Sequence, residues 1–220
     1  MNLDRYQQII HELNPYGARL VAVSKTRPVE DIETLYGSGQ RLFGENRVME
    51  MEAKHNALPN DIDWHLIGHL QTNKVKYIAP FVGLVHSVDS LRLLEEIDRQ
   101  AQKNARIIPC LLQVYIANEE TKFGMDESEI MSLLDSPAYL SLKNIQIAGL
   151  MGMASNTEDQ SQINREFAGL KALFDKVKSQ HFADRSHFKE LSMGMSSDYR
   201  IALNHGATLV RIGSDIFGSR

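Results

Sequence analysis

Leu20-Val21-Ala22-Val23-Ser24-Lys25-Thr26 is the stretch of sequence that decides the fold. Its first four residues are small or apolar, and together with Pro28 shortly after them they favour a short buried strand over a helix. Lys25 stands at the carboxyl end of this strand, where a cation is costly to bury unless it has a partner or does chemistry. In a parallel sheet this end faces whatever the fold binds, so Lys25 is a candidate reactive group.

Eight segments with the pattern of strands alternate with helical patterns along the chain. The predicted strands are Leu20–Val23, Arg41–Gly44, Asp63–Ile67, Gly83–Val88, Ile107–Tyr115, Ile145–Met151, Phe188–Ser192 and Thr208–Ile212. The clearest helix covers Gln160–Lys178, where apolar residues recur at helical spacing. Strict alternation predicts a parallel sheet, and eight units without a switch in pattern favour a closed (β/α)8 TIM barrel over an open doubly wound sheet. Because no linker interrupts the pattern, we expect residues 1–220 to form a single domain.

The composition narrows the classes of function. Lys and Arg number 24 against 28 Asp and Glu, so the net charge of −4 gives no electrostatic reason to expect a nucleic-acid partner. The single cysteine, Cys110, excludes an internal disulfide and a cysteine-rich metal site. The N-terminal residues lack the apolar core of a signal peptide, and no apolar run is long enough to span a membrane. We therefore expect a cytoplasmic monomer with no membrane partner.

The carboxyl ends of the last two predicted strands carry the most specific spacing signal. The segments Ser192–Ser197 and Arg211–Ser214 each combine a glycine with hydroxyl residues at an expected helix start. Glycine lets the backbone approach a ligand, and helix N-termini attract anions. A phosphate there and Lys25 on the neighbouring first strand predict one ligand with a phosphate at one end and a carbonyl at the other. A polar loop that contains Lys122 follows the fifth strand.

Each of these residues also has an ordinary structural explanation. A lone lysine such as Lys25 is more often solvated or ion-paired, and a glycine followed by a hydroxyl residue is often only a turn with an N-cap. Arg211 lies on an otherwise apolar strand and needs an acceptor, which could be a ligand or a core carboxylate such as Glu190. His65 is typical of a hydrogen-bonded core residue. Because no carboxylate pattern accompanies His65 and His69, we predict no metal site.

Five motifs resemble those of a known family. They are Val21–Thr26, Phe43–Asn46, Trp64–Lys74, Leu191–Asp198 and Val210–Gly218. In this order, and over nearly the whole chain from Leu20 onward, they resemble the pyridoxal phosphate homeostasis protein family, also called the YggS-like or proline synthase co-transcribed family. The resemblance implies a single (β/α)8 barrel similar to the N-terminal domain of alanine racemase.

The same resemblance implies a cofactor and assigns residues to it. Pyridoxal 5′-phosphate (PLP) would be held as a covalent Schiff base on Lys25, with Arg211 facing its pyridine nitrogen and Asn46 near its ring hydroxyl. The residues that would surround its phosphate are Ser196, Ser197, Gly213 and Ser214. Asp215 departs from the family's pattern and would add a negative charge beside the phosphate unless it points away.

The resemblance further implies a function in PLP homeostasis, in which the chain holds the cofactor and delivers it inside the cell without clear catalysis. Its partners would then be apo-forms of PLP enzymes. An arginine at the ring nitrogen weakens the electron sink that racemisation needs. The related racemases also carry a second domain, for which 220 residues leave no room. We therefore expect a carrier and not an enzyme; the alternative is a small PLP-dependent, racemase-like enzyme acting on amino acids.

Overall fold

A computed structural model describes residues 1–117 and 124–218 of the chain. Its strands form a closed barrel in chain order, in which β1 pairs with both β2 and β8 and all pairs are parallel. The strands are β1 (Arg19–Val23), β2 (Leu42–Glu45), β3 (Asp63–Leu66), β4 (Leu84–Val88), β5 (Ile108–Val114), β6 (Ile145–Gly152), β7 (Glu190–Ser192) and β8 (Leu209–Ile212). The predicted (β/α)8 TIM barrel is confirmed, and each strand lies within two residues of its predicted bounds.

Helices follow the strands and cover the barrel. Within the described residues they are α1 (Leu3–Leu13), α2 (Val29–Gly37), α3 (Val48–Ala57), α4 (Val75–Ile78), α5 (Leu91–Lys103), α6 (Glu127–Asp135), α7 (Pro137–Ser141), α8 (Gln160–His181), α9 (Tyr199–Asn204) and α10 (Ser214–Phe217). The sequence patterns gave no bounds for α7 and α10, because helices of five and four residues are too short to show an apolar period.

Helix α8 illustrates how the sequence produces these elements. Its buried residues are Ile163, Phe167, Leu170, Leu173, Phe174 and Val177. Their spacing of three or four residues places them on one face of the helix, which packs against the barrel core. The helix begins after Asp159, whose side chain accepts hydrogen bonds from the backbone N–H groups of Ser161 and Gln162. The predicted helix over Gln160–Lys178 is therefore confirmed.

The barrel interior carries its own small apolar cluster, separate from the core between strands and helices. Its buried members are Val21, Leu84, Leu111, Ala148, Met151 and Leu209. The glycine at position 149 lets β6 and β7 approach, because a Cβ there would lie only 1.7 Å from the backbone oxygen of Glu190. The carboxyl ends of the strands above this cluster carry the polar residues of the predicted site.

Two further observations bound the description. In the described part of the chain, no helix combines the length and apolar character needed to cross a bilayer. The polar loop that we predicted after the fifth strand, with Lys122, falls on residues 118–123, which lie outside the described residues.

Candidate functional site

A cavity of about 430 Å³ opens at the carboxyl ends of the strands. Its lining includes every residue that the sequence assigned to the cofactor, namely Lys25, Asn46, Ser196, Ser197, Arg211, Gly213 and Ser214. The register explains part of this grouping, because β1 pairs with β8 through Ala22 and Ile212 and so brings the ends of the two strands together. The structure thus gathers the predicted residues, while their individual roles stay predictions.

Lys25 lies half-buried on the turn that follows β1 and contributes to the cavity wall. No residue in the described ranges forms a hydrogen bond or ion pair with its side-chain amine. The ion-paired alternative for this lysine therefore finds no partner among residues 1–117 and 124–218. An amine on a cavity wall without a competing carboxylate is suited to react with a bound carbonyl compound.

A buried ion-pair network holds the turn that carries Lys25. The Lys54 amine donates to the Ser24 backbone oxygen at 2.8 Å, to Glu45 Oε1 at 2.8 Å and to Glu50 Oε1 at 2.7 Å. Glu50 Oε1 also accepts the backbone N–H of Thr26 at 2.5 Å. Thr26 has a φ of 63°, a conformation that is uncommon for a residue other than glycine. The network therefore fixes the backbone on both sides of Lys25.

Arg211 lies buried in the part of the barrel next to the cavity. Its Nη1 donates to Ser192 Oγ at 2.6 Å, and its Nη2 donates to the Gly152 backbone oxygen at 3.1 Å. Burial lowers the pKa of Arg211 to about 10, against the opposing effect of Asp198, so the guanidinium stays charged near neutrality. With two donor groups used, N–H groups of the guanidinium remain available to a ligand.

Glu190, the alternative acceptor that the sequence left open for Arg211, is engaged elsewhere. It accepts a hydrogen bond from Arg19 Nη2 at 2.6 Å and another from the Thr208 hydroxyl at 2.8 Å. The structure therefore contradicts a pairing between Arg211 and this carboxylate.

Two serine-containing turns form the other wall of the cavity. The Ser214 hydroxyl donates to Ser196 Oγ at 3.0 Å, which joins the turn after β7 to the turn after β8. The backbone N–H groups of Ser196, Ser197 and Ser214 donate to none of the described residues. At Gly213 a Cβ would lie 2.9 Å from the Val23 backbone oxygen, so glycine lets this turn approach β1. Free N–H and hydroxyl groups in one place suit an anion.

The helices that follow these turns are short. Helix α9 begins at Tyr199 and not at Ser197, and α10 contains only four residues. The prediction that both turns start helices was therefore wrong for the turn after β7, where the Asp198 carboxylate accepts the Met195 N–H at 2.6 Å and closes a separate turn. Burial raises the pKa of that carboxyl group. Any anion site here rests on turn N–H groups and hydroxyls, and not on a long helix dipole.

Asp215 points away from the serine turns. Its Oδ2 accepts hydrogen bonds from Arg5 Nη2 at 2.9 Å and from Arg5 Nε at 3.3 Å. The negative charge that we expected to disturb an anion beside Ser214 is therefore paired with an arginine of α1.

Asn46 follows β2 and lies on the cavity rim. Its backbone is approached closely by the turn after β3, because a Cβ on Gly68 would lie 2.4 Å from the Asn46 backbone oxygen. A larger residue at position 68 would push Asn46 out of this arrangement.

Sequence reasoning missed several residues of the cavity wall. The described lining residues to which it gave no part in the site are Val23, Arg27, Ile67 and Gly218, whereas it interpreted Met153 and Met195 as apolar lining. Arg27 is the one that carries charge, and its guanidinium donates to the Gly218 backbone oxygen and lies 5.8 Å from the centre of the Phe217 ring. Its position two residues after Lys25, on the same strand-to-helix loop, was the available signal.

The cavity offers few groups that exchange protons near neutral pH. Among the described lining residues there is no Asp, Glu, His, Cys or Tyr. The described residues also contain no group of three or more His, Cys, Asp or Glu side chains that could hold a metal ion. Lys25 is thus the one described lining residue that carries a primary amine.

Comparison with known proteins gives a consistent result. The family described as alanine racemase, N-terminal domain, matches residues 2–220. The protein named pyridoxal phosphate homeostasis protein in Aquifex aeolicus is 40% identical over 92% of this chain and 87% of its own length. The structure of PipY from Synechococcus elongatus with PLP bound superposes with a TM-score of 0.87 at 36% identity, covering 98% of this chain and 99% of PipY.

Alanine racemase from Bartonella henselae shares the fold alone. It superposes with a TM-score of 0.71 at 18% identity, and the match covers 98% of this chain but 59% of the racemase. The identity and coverage of the first two relatives, and the motifs that carry Lys25 and the serine turns, decide the family. The chain belongs to the pyridoxal phosphate homeostasis protein family.

Proposed function

We propose that this chain binds PLP in the cavity at the carboxyl ends of its strands, holds it as a Schiff base on Lys25 and supplies it to other proteins. The observation that carries the proposal is a grouping in one cavity. It combines a lysine amine and two turns with serine N–H groups, none of which has a partner among the described residues, with a buried arginine. The relatives' name and the PLP bound to PipY support the same choice of ligand.

The residues present fit this cofactor. The cavity, at about 430 Å³, falls in the usual range for small-molecule sites. Bound PLP supplies an aldehyde that condenses with an amine, with loss of one water molecule, and a ring that withdraws electrons. The hydroxyls of the Ser196 and Ser214 turns, and their N–H groups that donate to no described residue, suit its phosphate. Lys25 lines the same cavity.

Three polar residues that the sequence assigned to the cofactor then have defined tasks. Lys25 is the nucleophile, and the Lys54 network fixes the turn that presents it. Arg211 donates an N–H to the ring nitrogen and leaves that nitrogen unprotonated, because a guanidinium does not give up its proton near neutral pH. Asn46 donates its amide N–H to the ring hydroxyl.

We further propose that the chain does not turn over amino acids. Racemisation at an α-carbon needs a base on one face and an acid on the other. Among the described residues that line the cavity, Lys25 is the one candidate, and no tyrosine, histidine or carboxylate accompanies it. The relatives are named as homeostasis proteins and not as enzymes, which agrees with a carrier.

The recipients that we propose are apo-forms of PLP enzymes, and a monomeric, cytoplasmic carrier stays a prediction. Delivery requires that the Schiff base be reversible. The reverse reaction consumes one water molecule and returns the free Lys25 amine and the aldehyde. A cavity at the open end of the barrel allows both water and cofactor to reach this amine.

A titration of the apoprotein with PLP tests the proposal. We expect a new visible absorbance band in the native protein and in the control Lys76→Ala, which changes an exposed lysine of α4. We expect no such band in Lys25→Ala, because the remaining anion site holds PLP without the covalent bond. The same band in Lys25→Ala as in the native protein would contradict the proposal.

A further inference from the structure

A continuous row of polar side chains crosses the barrel interior beneath Arg211. Arg211 Nη1 donates to Ser192 Oγ at 2.6 Å, and this hydroxyl lies 2.9 Å from His86 Nδ1. His86 Nε2 lies 3.0 Å from His65 Nδ1, and His65 Nε2 lies 3.4 Å from Asp63 Oδ2. Arg211, Ser192 and both histidines are buried. The row therefore joins the floor of the cavity to the first residue of β3, at the opposite end of the barrel.

When both imidazoles are neutral, the two ends of the row set the direction of every hydrogen bond within it. A guanidinium only donates and an ionised carboxylate only accepts. Asp63 Oδ2 lies 3.4 Å from His65 Nε2 and favours a proton on that nitrogen, which leaves Nδ1 of the neutral ring as an acceptor. That acceptor requires a proton on His86 Nε2, so His86 Nδ1 accepts the hydroxyl proton of Ser192. The same hydroxyl oxygen accepts from Arg211, and no group in the row is left unsatisfied or needs an extra proton.

The surroundings of the row favour a neutral imidazole at His86. Burial, together with the nearby His65 and Arg211, holds the pKa of His86 well below its usual range. A second cation beside the buried guanidinium would be repelled by the charges of Arg211 and Arg19. Although burial acts to raise it, the pKa of Asp63 is lowered by its contact with His65, so the carboxylate stays charged.

The structure also makes room for Asp63 at the end of the row. A Cβ built on Gly83, the residue before β4, would lie 1.6 Å from Asp63 Oδ1. The glycine therefore leaves the space that the carboxylate occupies beside His65. This packing is independent of the hydrogen bonds and points to the same placement of the acid.

We propose that Asp63, His65, His86 and Ser192 are positioning residues, which orient Arg211 through a one-directional chain of hydrogen bonds with both imidazoles neutral and protonated at Nε2. Such a chain polarises each bond along it and holds the guanidinium in one orientation beneath the cavity. The tautomers are a property of the protein without ligand. The effect on the ligand's ring rests on the proposed function, since it assumes that Arg211 faces that ring.

Nitrogen-15 NMR of the histidine side chains in the apoprotein tests the proposed chain of hydrogen bonds directly. At pH 7 we expect both His65 and His86 to show a proton on Nε2 and none on Nδ1. In Asp63→Ala, where the terminal acceptor is lost, His65 should also populate the Nδ1–H form. The control Asp61→Ala changes an exposed carboxylate that contacts Tyr36 and Arg41, and should leave both rings unchanged. An imidazolium or an Nδ1–H form in the native protein, or an unaltered His65 in Asp63→Ala, would overturn the proposal.

A second measurement reads the effect at the cavity. Asp63→Ala and Gly83→Ala should each weaken PLP binding by about fivefold or more, whereas Asp61→Ala should not change it. The two variants disturb the same carboxylate by different means. If one of them does not fold, the other still provides the test. Native affinity in both would contradict the coupling to Arg211. If the native protein itself does not bind PLP, the proposed function fails. The NMR result still decides whether the chain of hydrogen bonds exists.

Discussion

At the scale of single residues, the buried lysine at position 54 matters as much as the half-buried one at position 25. Lys54 places its amine among three oxygen atoms, one of which is the backbone oxygen of Ser24. Its partner Glu45 is fully buried, and burial raises the pKa of this carboxyl group. Glu45 Oε2 has no hydrogen-bond partner within residues 1–117 and 124–218. The Lys54 amine beside it therefore stabilises the charged form of this carboxylate.

Lys54→Met tests this dependence. We expect the free energy of unfolding to fall by about 3–5 kcal/mol, because the substitution leaves a buried carboxylate uncompensated. Denaturant unfolding measures the change, and Lys103→Met, at an exposed position on α5, is the control. A variant as stable as the control would show that the network does not hold the turn.

The two serine hydroxyls make a separate prediction about the phosphate. We expect Ser196→Ala and Ser214→Ala each to weaken PLP binding by about tenfold, since a hydrogen bond to a charged group is lost while the backbone N–H groups remain. Binding of pyridoxal, which lacks the phosphate, should not change. Ser179→Ala, on the exposed face of α8, is the matched control for PLP. Equal losses for pyridoxal and PLP would contradict a phosphate site at these turns.

At the scale of elements, α1 ties down the two helices that follow the serine turns. The Asn2 N–H donates to the Ile216 backbone oxygen at 2.7 Å, and Arg5 binds Asp215, so α1 holds α10. Glu12 of the same helix accepts from the Tyr199 hydroxyl at 2.6 Å and from Arg200 Nε at 2.8 Å, so α1 also holds α9.

The contacts between Glu12 and α9 predict how the stability of the folded protein depends on pH. The hydrogen bonds from Arg200, followed by that from Tyr199, lower the pKa of Glu12 from 4.5 to about 2. Because the pKa is depressed in the folded state, the stabilisation is complete above pH 4.5 and is lost as the pH falls toward 2. We expect Glu12→Gln to reduce stability by about 1 kcal/mol at pH 7, with the difference shrinking over that window.

Thermal unfolding of the native protein and Glu12→Gln at a series of pH values measures this effect. Glu33→Gln, an exposed residue of α2, provides the control. A difference in thermal stability between Glu12→Gln and the native protein that stays constant between neutral pH and pH 2 would contradict a stabilising contact between Glu12 and α9.

At the scale of the whole molecule, the sequence predicted the barrel because its signals are local. Strand ends are marked by residues such as Lys25 and Arg211, and the family's motifs fall where strands become loops. The contacts that orient those residues join distant parts of the chain, as Lys54 joins β1 to α3 and His86 joins β3 to β7. No spacing along the chain reports such a contact. Helix α10 was not predicted because its four residues are too few to show an apolar period.

The proposed carrier should transfer its cofactor without transforming amino acids. We expect the loaded protein to reactivate an apo-form of a PLP enzyme, and we expect D- and L-alanine to keep their configuration during long incubation with it. The cavity's described lining lacks the paired acid and base that proton exchange at the α-carbon needs. A reactivation assay tests the transfer of the cofactor, and chirality measurements test whether alanine keeps its configuration. Rapid racemisation would contradict the proposal that the protein is a carrier.

The covalent bond to Lys25 is tested most directly by reducing the PLP-loaded protein with borohydride and mapping the modified peptide by mass spectrometry. Reduction converts the Schiff base into a stable secondary amine at whichever lysine formed it. We predict a phosphopyridoxyl group on Lys25. A label on Lys74 or Lys122 in its place, or no label on Lys25 under conditions where PLP is bound, would contradict the proposed site.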